Sequence, residues 1–159
     1  MVKEVKTNAM RILEANEIEY RELILDIKEA LDGVTCANML SLNLDSTFKT
    51  LVTIGKSGNY YVFVVPVAEK LSLKKAAAAV DEKNVEMIPM KELLKVAGYV
   101  HGGCSPIGMK KVFTTVIDET AILFDKIVFS GGKIGYFIEM NPMDIEKVLP
   151  VKFVDIVED

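Results

Sequence analysis

The sequence predicts an α+β fold: one domain, residues 1–159, with a curved, mixed, largely antiparallel sheet and short flanking helices. Three observations carry this. Residues 48–54 and 60–65 are β-branched and aromatic runs flanking Gly55-Lys56-Ser57-Gly58-Asn59, a hairpin pattern. Residues 126–130 and 136–140 repeat it around a glycine-rich connection. Between these hairpins fall short helical stretches in irregular order, which a regular βαβ winding does not give.

The elements follow in order. Val5, Ala9, Ile12 and Leu13 fall at helical spacing and predict an amphipathic helix over 3–16. Residues 20–25 read as a strand. Thr35 is placed to cap a short helix burying Met39, Leu40 and Leu42. After the first hairpin, Ser72 caps an alanine-rich helix over 73–80. Residues 85–88 form a short strand, and 90–97 a helix stopped by Gly98. Residues 114–117 read as a strand ending at Asp118. In the second hairpin, Gly131 to Gly135 form the turn. Asn141 caps a helix with Pro142 in its first turn. Residues 151–157 close the chain as a strand, with Val151, Phe153 and Asp155 on one face.

Composition narrows the function classes. The chain has 159 residues, half of them apolar, enough for one sizeable core. Its longest apolar run, 60–68, contains Pro66 and is far short of the roughly 20 residues that span a bilayer. The charged start, Met1-Val2-Lys3-Glu4-Val5-Lys6, lacks a signal-peptide core, so a cytoplasmic protein with no membrane partner is expected. Cys36, Cys104 and one histidine are too few for a disulfide framework or a multi-histidine metal site. No metal and no cofactor are expected. A net charge of −4 confines any nucleic-acid contact to a local basic face.

Five features carry candidate chemistry, each with an ordinary structural reading beside it. Lys49 shares a strand face with Leu51 and Thr53, so it is either a solvated surface lysine or an ammonium held at a cleft. His101-Gly102-Gly103-Cys104-Ser105-Pro106-Ile107-Gly108 is either a tight loop or a cradle of backbone N–H groups. Ser130-Gly131-Gly132 is either a hairpin turn or a second cradle. His101 and Cys104 form H-x-x-C, which lacks partners for a metal and is weak as a thiol dyad. Lys70, Lys74, Lys75, Lys110, Lys111, Lys126 and Lys133 are either surface charge or a phosphate-binding face.

Several motifs occur in a fixed order: Phe48-Lys49-Thr50-Leu51; Pro66-Val67-Ala68 leading to Leu73-Lys74-Lys75; Gly98-Tyr99 followed by Gly102-Gly103, Ser105-Pro106, Gly108 and Lys110-Lys111; Ile117-Asp118; and Ser130-Gly131-Gly132-Lys133 with Gly135. The set resembles the YbaK/EbsC family, free-standing relatives of the editing domain of prolyl-tRNA synthetase, and is most similar to its Cys-tRNA(Pro) deacylase branch. The resemblance implies hydrolysis of mischarged tRNA(Pro) in trans, with aminoacyl-tRNA and prolyl-tRNA synthetase as partners. Discrimination of small side chains by binding alone is worth only about 1–3 kcal/mol, so a second, hydrolytic site is needed.

The resemblance also implies site roles. Lys49, Gly102 and Gly103 would be catalytic, with the glycine amides stabilising the oxyanion. Tyr20, Leu25, Ser105, Pro106, Gly108, Ser130, Gly131, Gly132 and Phe137 would bind substrate. In the Cys-directed branch the substrate thiol is the implied nucleophile. Two positions depart from that branch: Leu25 stands for a tyrosine and Phe137 for an aspartate. They motivate two alternatives, an Ala-tRNA(Pro) hydrolase and a catalytically silent module that binds a synthetase or a tRNA 3′ end. A thiol enzyme using Cys104 is a third.

Overall fold

The computed structural model describes residues 6–159. Helix α1 (Asn8–Ala15) starts later than its periodicity suggests, because Thr7 accepts a hydrogen bond from the Met10 N–H and caps it. Val5, part of the sequence pattern, lies outside the described residues. Strand β1 (Arg21–Ile24) and helix α2 (Gly33–Met39) follow. The cap of α2 is Asp32, not Thr35: Asp32 Oδ1 accepts from the Thr35 N–H at 2.8 Å. This turns Met39 outward, where it is 54% exposed, and buries Cys36 and Ala37 instead.

Strands β2 (Phe48–Gly55) and β3 (Tyr60–Pro66) form the expected hairpin, paired from Phe48↔Pro66 to Ile54↔Tyr60. Helix α3 (Leu73–Ala79) begins at Ser72, whose hydroxyl accepts from the Lys75 N–H. Next come β4 (Val85–Met87), α4 (Leu93–Ala97) after a 3-10 turn at Met90–Glu92, and β5 (Thr114–Asp118). Strands β6 (Ile127–Lys133) and β7 (Tyr136–Met140) make the second hairpin. Its turn is Ile134-Gly135, so Gly131 and Gly132 lie inside β6, where the register shifts between Ser130 and Lys133. Such a bulge bends a strand and re-aims its backbone. Residues Pro142–Lys147 form a 3-10 helix rather than an α-helix, with the Val148 N–H bonded to Ile145 O. Strand β8 (Val151–Val154) stops before Asp155. That side chain pairs with Lys75 at 3.0 Å instead of extending the strand face.

The strands form two sheets. One is antiparallel, in the order β1-β7-β6. The other, β4-β2-β3-β5-β8, is mixed: β2 pairs antiparallel with β3 and β4, and β5 pairs parallel with β3 and β8. They meet where Thr47 bridges Val128 in parallel.

Alternation along the strands separates three apolar clusters. Phe48, Val52, Val62 and Val64 face the main core with Met10, Leu13, Phe129 and Ile138. Phe63, Val65 and Val116 face the other way, under Ala76 and Ala77 of α3. Cys36, Val128 and Phe137 form a third cluster, joined by Leu23, Leu25, Ile27, Leu40 and Leu42. Each fully buried phenylalanine contributes roughly 1.5–3 kcal/mol.

Asp118, a motif residue, is structural. It is fully buried at the end of β5. Its Oδ2 accepts the Thr120 hydroxyl at 2.6 Å and its Oδ1 the Ile156 N–H at 3.1 Å, tying the C-terminal segment to the sheet. Asp118→Ala leaves that buried N–H unpaired and is expected to cost about 2–3 kcal/mol. A thermal melt should fall by about 5–10 °C for a chain of this size. A melt within 1 °C of wild type, allowing about that error, contradicts this role.

Candidate functional site

Lys49 and Ser130 both follow the junction of the two sheets. From the parallel Thr47↔Val128 bridge, each lies two residues further along its own strand, on the bridge's side of the pleat. Ser130 pairs with Phe137, which pairs on its other edge with Leu23. The row Leu23–Phe137–Ser130 therefore ends at the edge of β6 that meets Thr47. Cys36 on α2 packs against Val128 and Phe137, so the row has an apolar cover.

Lys49 is partly buried. Dehydration pushes its ammonium pKa below the ordinary lysine value; Glu69 opposes this and Lys70 adds to it. It makes no ion pair or hydrogen bond among the described residues. A cation held partly out of water without a partner is costly unless a ligand supplies the partner.

The glycine segments lie side by side. A side chain at Gly103 would meet Ile134 N and Lys133 C, both at 3.0 Å, so residues 102–104 abut the tip of the β6–β7 hairpin. Gly102 lies against Ala30, from the loop between β1 and α2. An open cleft of about 450 Å³ runs between these parts, lined by Ile27, Lys28, Gly98, Tyr99, Gly132 and Lys133 among others.

The two glycine amides are not equivalent. The Gly103 N–H donates to Val100 O at 3.0 Å. The Gly102 and Cys104 N–H groups have no acceptor among the described residues. Ser105 is fully buried, and its hydroxyl accepts from the Ile107 N–H at 3.3 Å. Pro106 is buried beside it, and Gly108 turns the chain back towards α1, where Asn8 donates to Gly108 O. The Ser130 hydroxyl accepts from the Gly132 N–H at 3.3 Å, which shapes the bulge.

Leu25 and Phe137 are placed together, in one apolar cluster with Cys36 and Val128. The Leu25 N–H donates to Gly135 O at 2.7 Å, fixing it at the hairpin tip. Tyr20 stands at the opposite end of β1. Its hydroxyl donates to Glu14 Oε2 at 3.0 Å and accepts from Lys6, so it does not replace a tyrosine missing at Leu25.

His101 and Cys104 do not form a dyad. His101 is exposed, whereas Cys104 is buried and burial pushes its thiol up to about 12. A nucleophilic cysteine needs a depressed pKa and access. Cys104→Ala is therefore expected to keep turnover within about twofold of wild type in a direct deacylation assay; a tenfold loss contradicts this.

Sequence reading passed over Lys28, Ile27 and Cys36, whose loop and short helix carry no motif, and gave no site role to Tyr99. Among the described residues, no helix is long and apolar enough to cross a membrane, and no group of three or more His, Cys, Asp or Glu is placed to hold a metal.

This arrangement can be set beside known proteins. The structure superposes on that of hypothetical protein APE2540 with a TM-score of 0.85, covering 96% of this chain and all of the other at 21% identity. A protein described as a candidate trans-editing enzyme for prolyl-tRNA synthetase gives 0.80, over 98% of this chain and 100% of the other, at 20% identity. Both show the fold. In sequence, an Enterococcus faecalis protein named as a candidate Cys-tRNA(Pro)/Cys-tRNA(Cys) deacylase, EbsC, is 41% identical over 152 residues, 95% of this chain and 93% of that one. A family model described as the aminoacyl-tRNA editing domain matches residues 28–148, which contain Lys49 and both glycine segments. The chain belongs to the aminoacyl-tRNA editing domain family.

Proposed function

We propose that this protein is a trans-editing deacylase for mischarged tRNA(Pro), acting first on Cys-tRNA(Pro), alongside prolyl-tRNA synthetase. The observation that carries this is the 41% identity, across nearly the whole of both chains, to a protein named for that substrate. In this reading Lys49 holds the ribose or terminal phosphate. The Gly102 and Cys104 amides receive the carbonyl oxygen as it becomes negative; one such donor is worth about 3–4 kcal/mol. Gly103 shapes the loop, since its own N–H is taken.

The nucleophile is the substrate's thiol. Its sulfur bonds to the ester carbonyl carbon, the bond from that carbon to the ribose oxygen breaks, and the thiol proton passes to the leaving 3′ oxygen. Water then opens the resulting thiolactone to free cysteine. Orienting an intramolecular nucleophile can supply roughly 7–11 kcal/mol, so no catalytic serine or cysteine is required.

Lys28 and Lys133 line the cleft and have no ion-pair partner among the described residues. As phosphate contacts, their joint replacement by alanine should lower the salt-dependence slope of tRNA binding by about 1–2. An unchanged slope removes them from the tRNA path.

The test is a panel of charged tRNA(Pro). Cys-tRNA(Pro) should be lost fastest and Pro-tRNA(Pro) spared. A second reading rests on Leu25 and Phe137, which give the site apolar walls where a thiol-orienting group is implied. It predicts that Ala-tRNA(Pro) is lost fastest, by attack of water. Survival of the whole panel would falsify both readings.

A further inference from the structure

The two glycine segments are far apart in sequence, yet one side chain touches both. Tyr99 is buried, with 7% of its surface exposed. Its hydroxyl donates to Ile107 O at 2.6 Å, inside the first segment. A side chain added at Gly108 would lie 2.7 Å from that hydroxyl oxygen, and one added at Gly132 would lie 3.0 Å from Tyr99 Cε1. The phenol therefore spans from the Pro106–Gly108 bend to the bulge of β6. Gly98 ends α4 just before it, which fixes where the ring enters. The phenol stays protonated in ordinary buffers, since burial pushes its pKa up to about 12. It supplies a fixed donor, not a proton to the reaction.

We infer that Tyr99 is a positioning residue: a strut that sets the 102–108 loop and the Ser130–Gly132 bulge in one register, so that the free loop amides and Lys49 address the same ligand. Asn8 donates to Gly108 O and also interacts with the Tyr99 hydroxyl, so Asn8→Ala, which leaves the ring in place against the bulge, serves as the comparison.

Tyr99→Phe keeps the ring and removes the donor. Hydrogen exchange should speed up about tenfold both in 102–108 and in 130–135, whereas Asn8→Ala should loosen 102–108 alone. The kinetic half rests on the deacylase reading: kcat for Cys-tRNA(Pro) should fall about tenfold with KM within about twofold. Faster exchange confined to 102–108 in Tyr99→Phe overturns the strut. So does unchanged kcat, or a kcat loss that vanishes at a temperature where the variant is fully folded. If wild type cleaves no charged tRNA, the deacylase reading fails, and the exchange comparison alone decides the strut.

Discussion

Lys49→Met is expected to slow deacylation by about 100- to 1,000-fold while the protein melts no lower than wild type. The two effects have one cause. Burial lowers the folded-state pKa of Lys49 below its unfolded value, so below that folded value the charged form costs stability. The cost fades as pH rises from the folded to the unfolded pKa. Methionine keeps the apolar stem and removes the charge, so the folded state gains or breaks even. The ligand loses its cation at the same time. Single-turnover kinetics and a thermal melt check both halves. A variant within threefold of wild-type rate, allowing about that error, or one melting roughly 5 °C lower, contradicts a ligand-directed lysine.

Gly103→Ala is the second large effect. Its side chain would lie 3.0 Å from Ile134 N and Lys133 C, and 3.2 Å from Lys133 Cα. All three neighbours are backbone atoms, which cannot swing aside as a side-chain end can. The loop and hairpin tip must separate by several tenths of an ångström. That moves the Gly102 and Cys104 amides relative to Lys49, and misplacement on the order of 1 Å can cost 100-fold in rate. Turnover should drop about 100-fold, with KM rising less than kcat falls. Wild-type turnover in Gly103→Ala contradicts close packing of the two segments in the reacting state.

Much of this fold is legible because its signals are local. The β2–β3 hairpin combines period-two apolar runs with a glycine turn, and the Ser72 cap of α3 needs only its own first turn. The misread elements have competing local chemistry. Thr35 reads as the cap of α2, but Asp32, three residues upstream, takes that place by accepting from the Thr35 N–H. Gly131 and Gly132 read as a turn, but Gly135 supplies the left-handed residue there, at φ +85°, and leaves them to form a bulge. Asp155 alternates correctly with Val151 and Phe153, yet a pairing with Lys75 outweighs continuation of β8.

The site divides the same way. The ordered motifs single out Lys49 and both glycine segments. Their assembly is not local: the segments that carry Lys49 and Ser130 meet at the isolated Thr47↔Val128 bridge. Which glycine amide is free depends on the Val100 carbonyl, which no motif marks. Tyr20 and Leu25 are close in sequence but stand at opposite ends of β1.

The most direct test of the account is single-turnover cleavage of Cys-tRNA(Pro) beside the same tRNA carrying S-methylcysteine. The account predicts rapid loss of the first and survival of the second, whose sulfur cannot attack. Equal loss of both would show that water, not the substrate thiol, is the nucleophile. Loss of neither beyond that in buffer would contradict editing of this substrate.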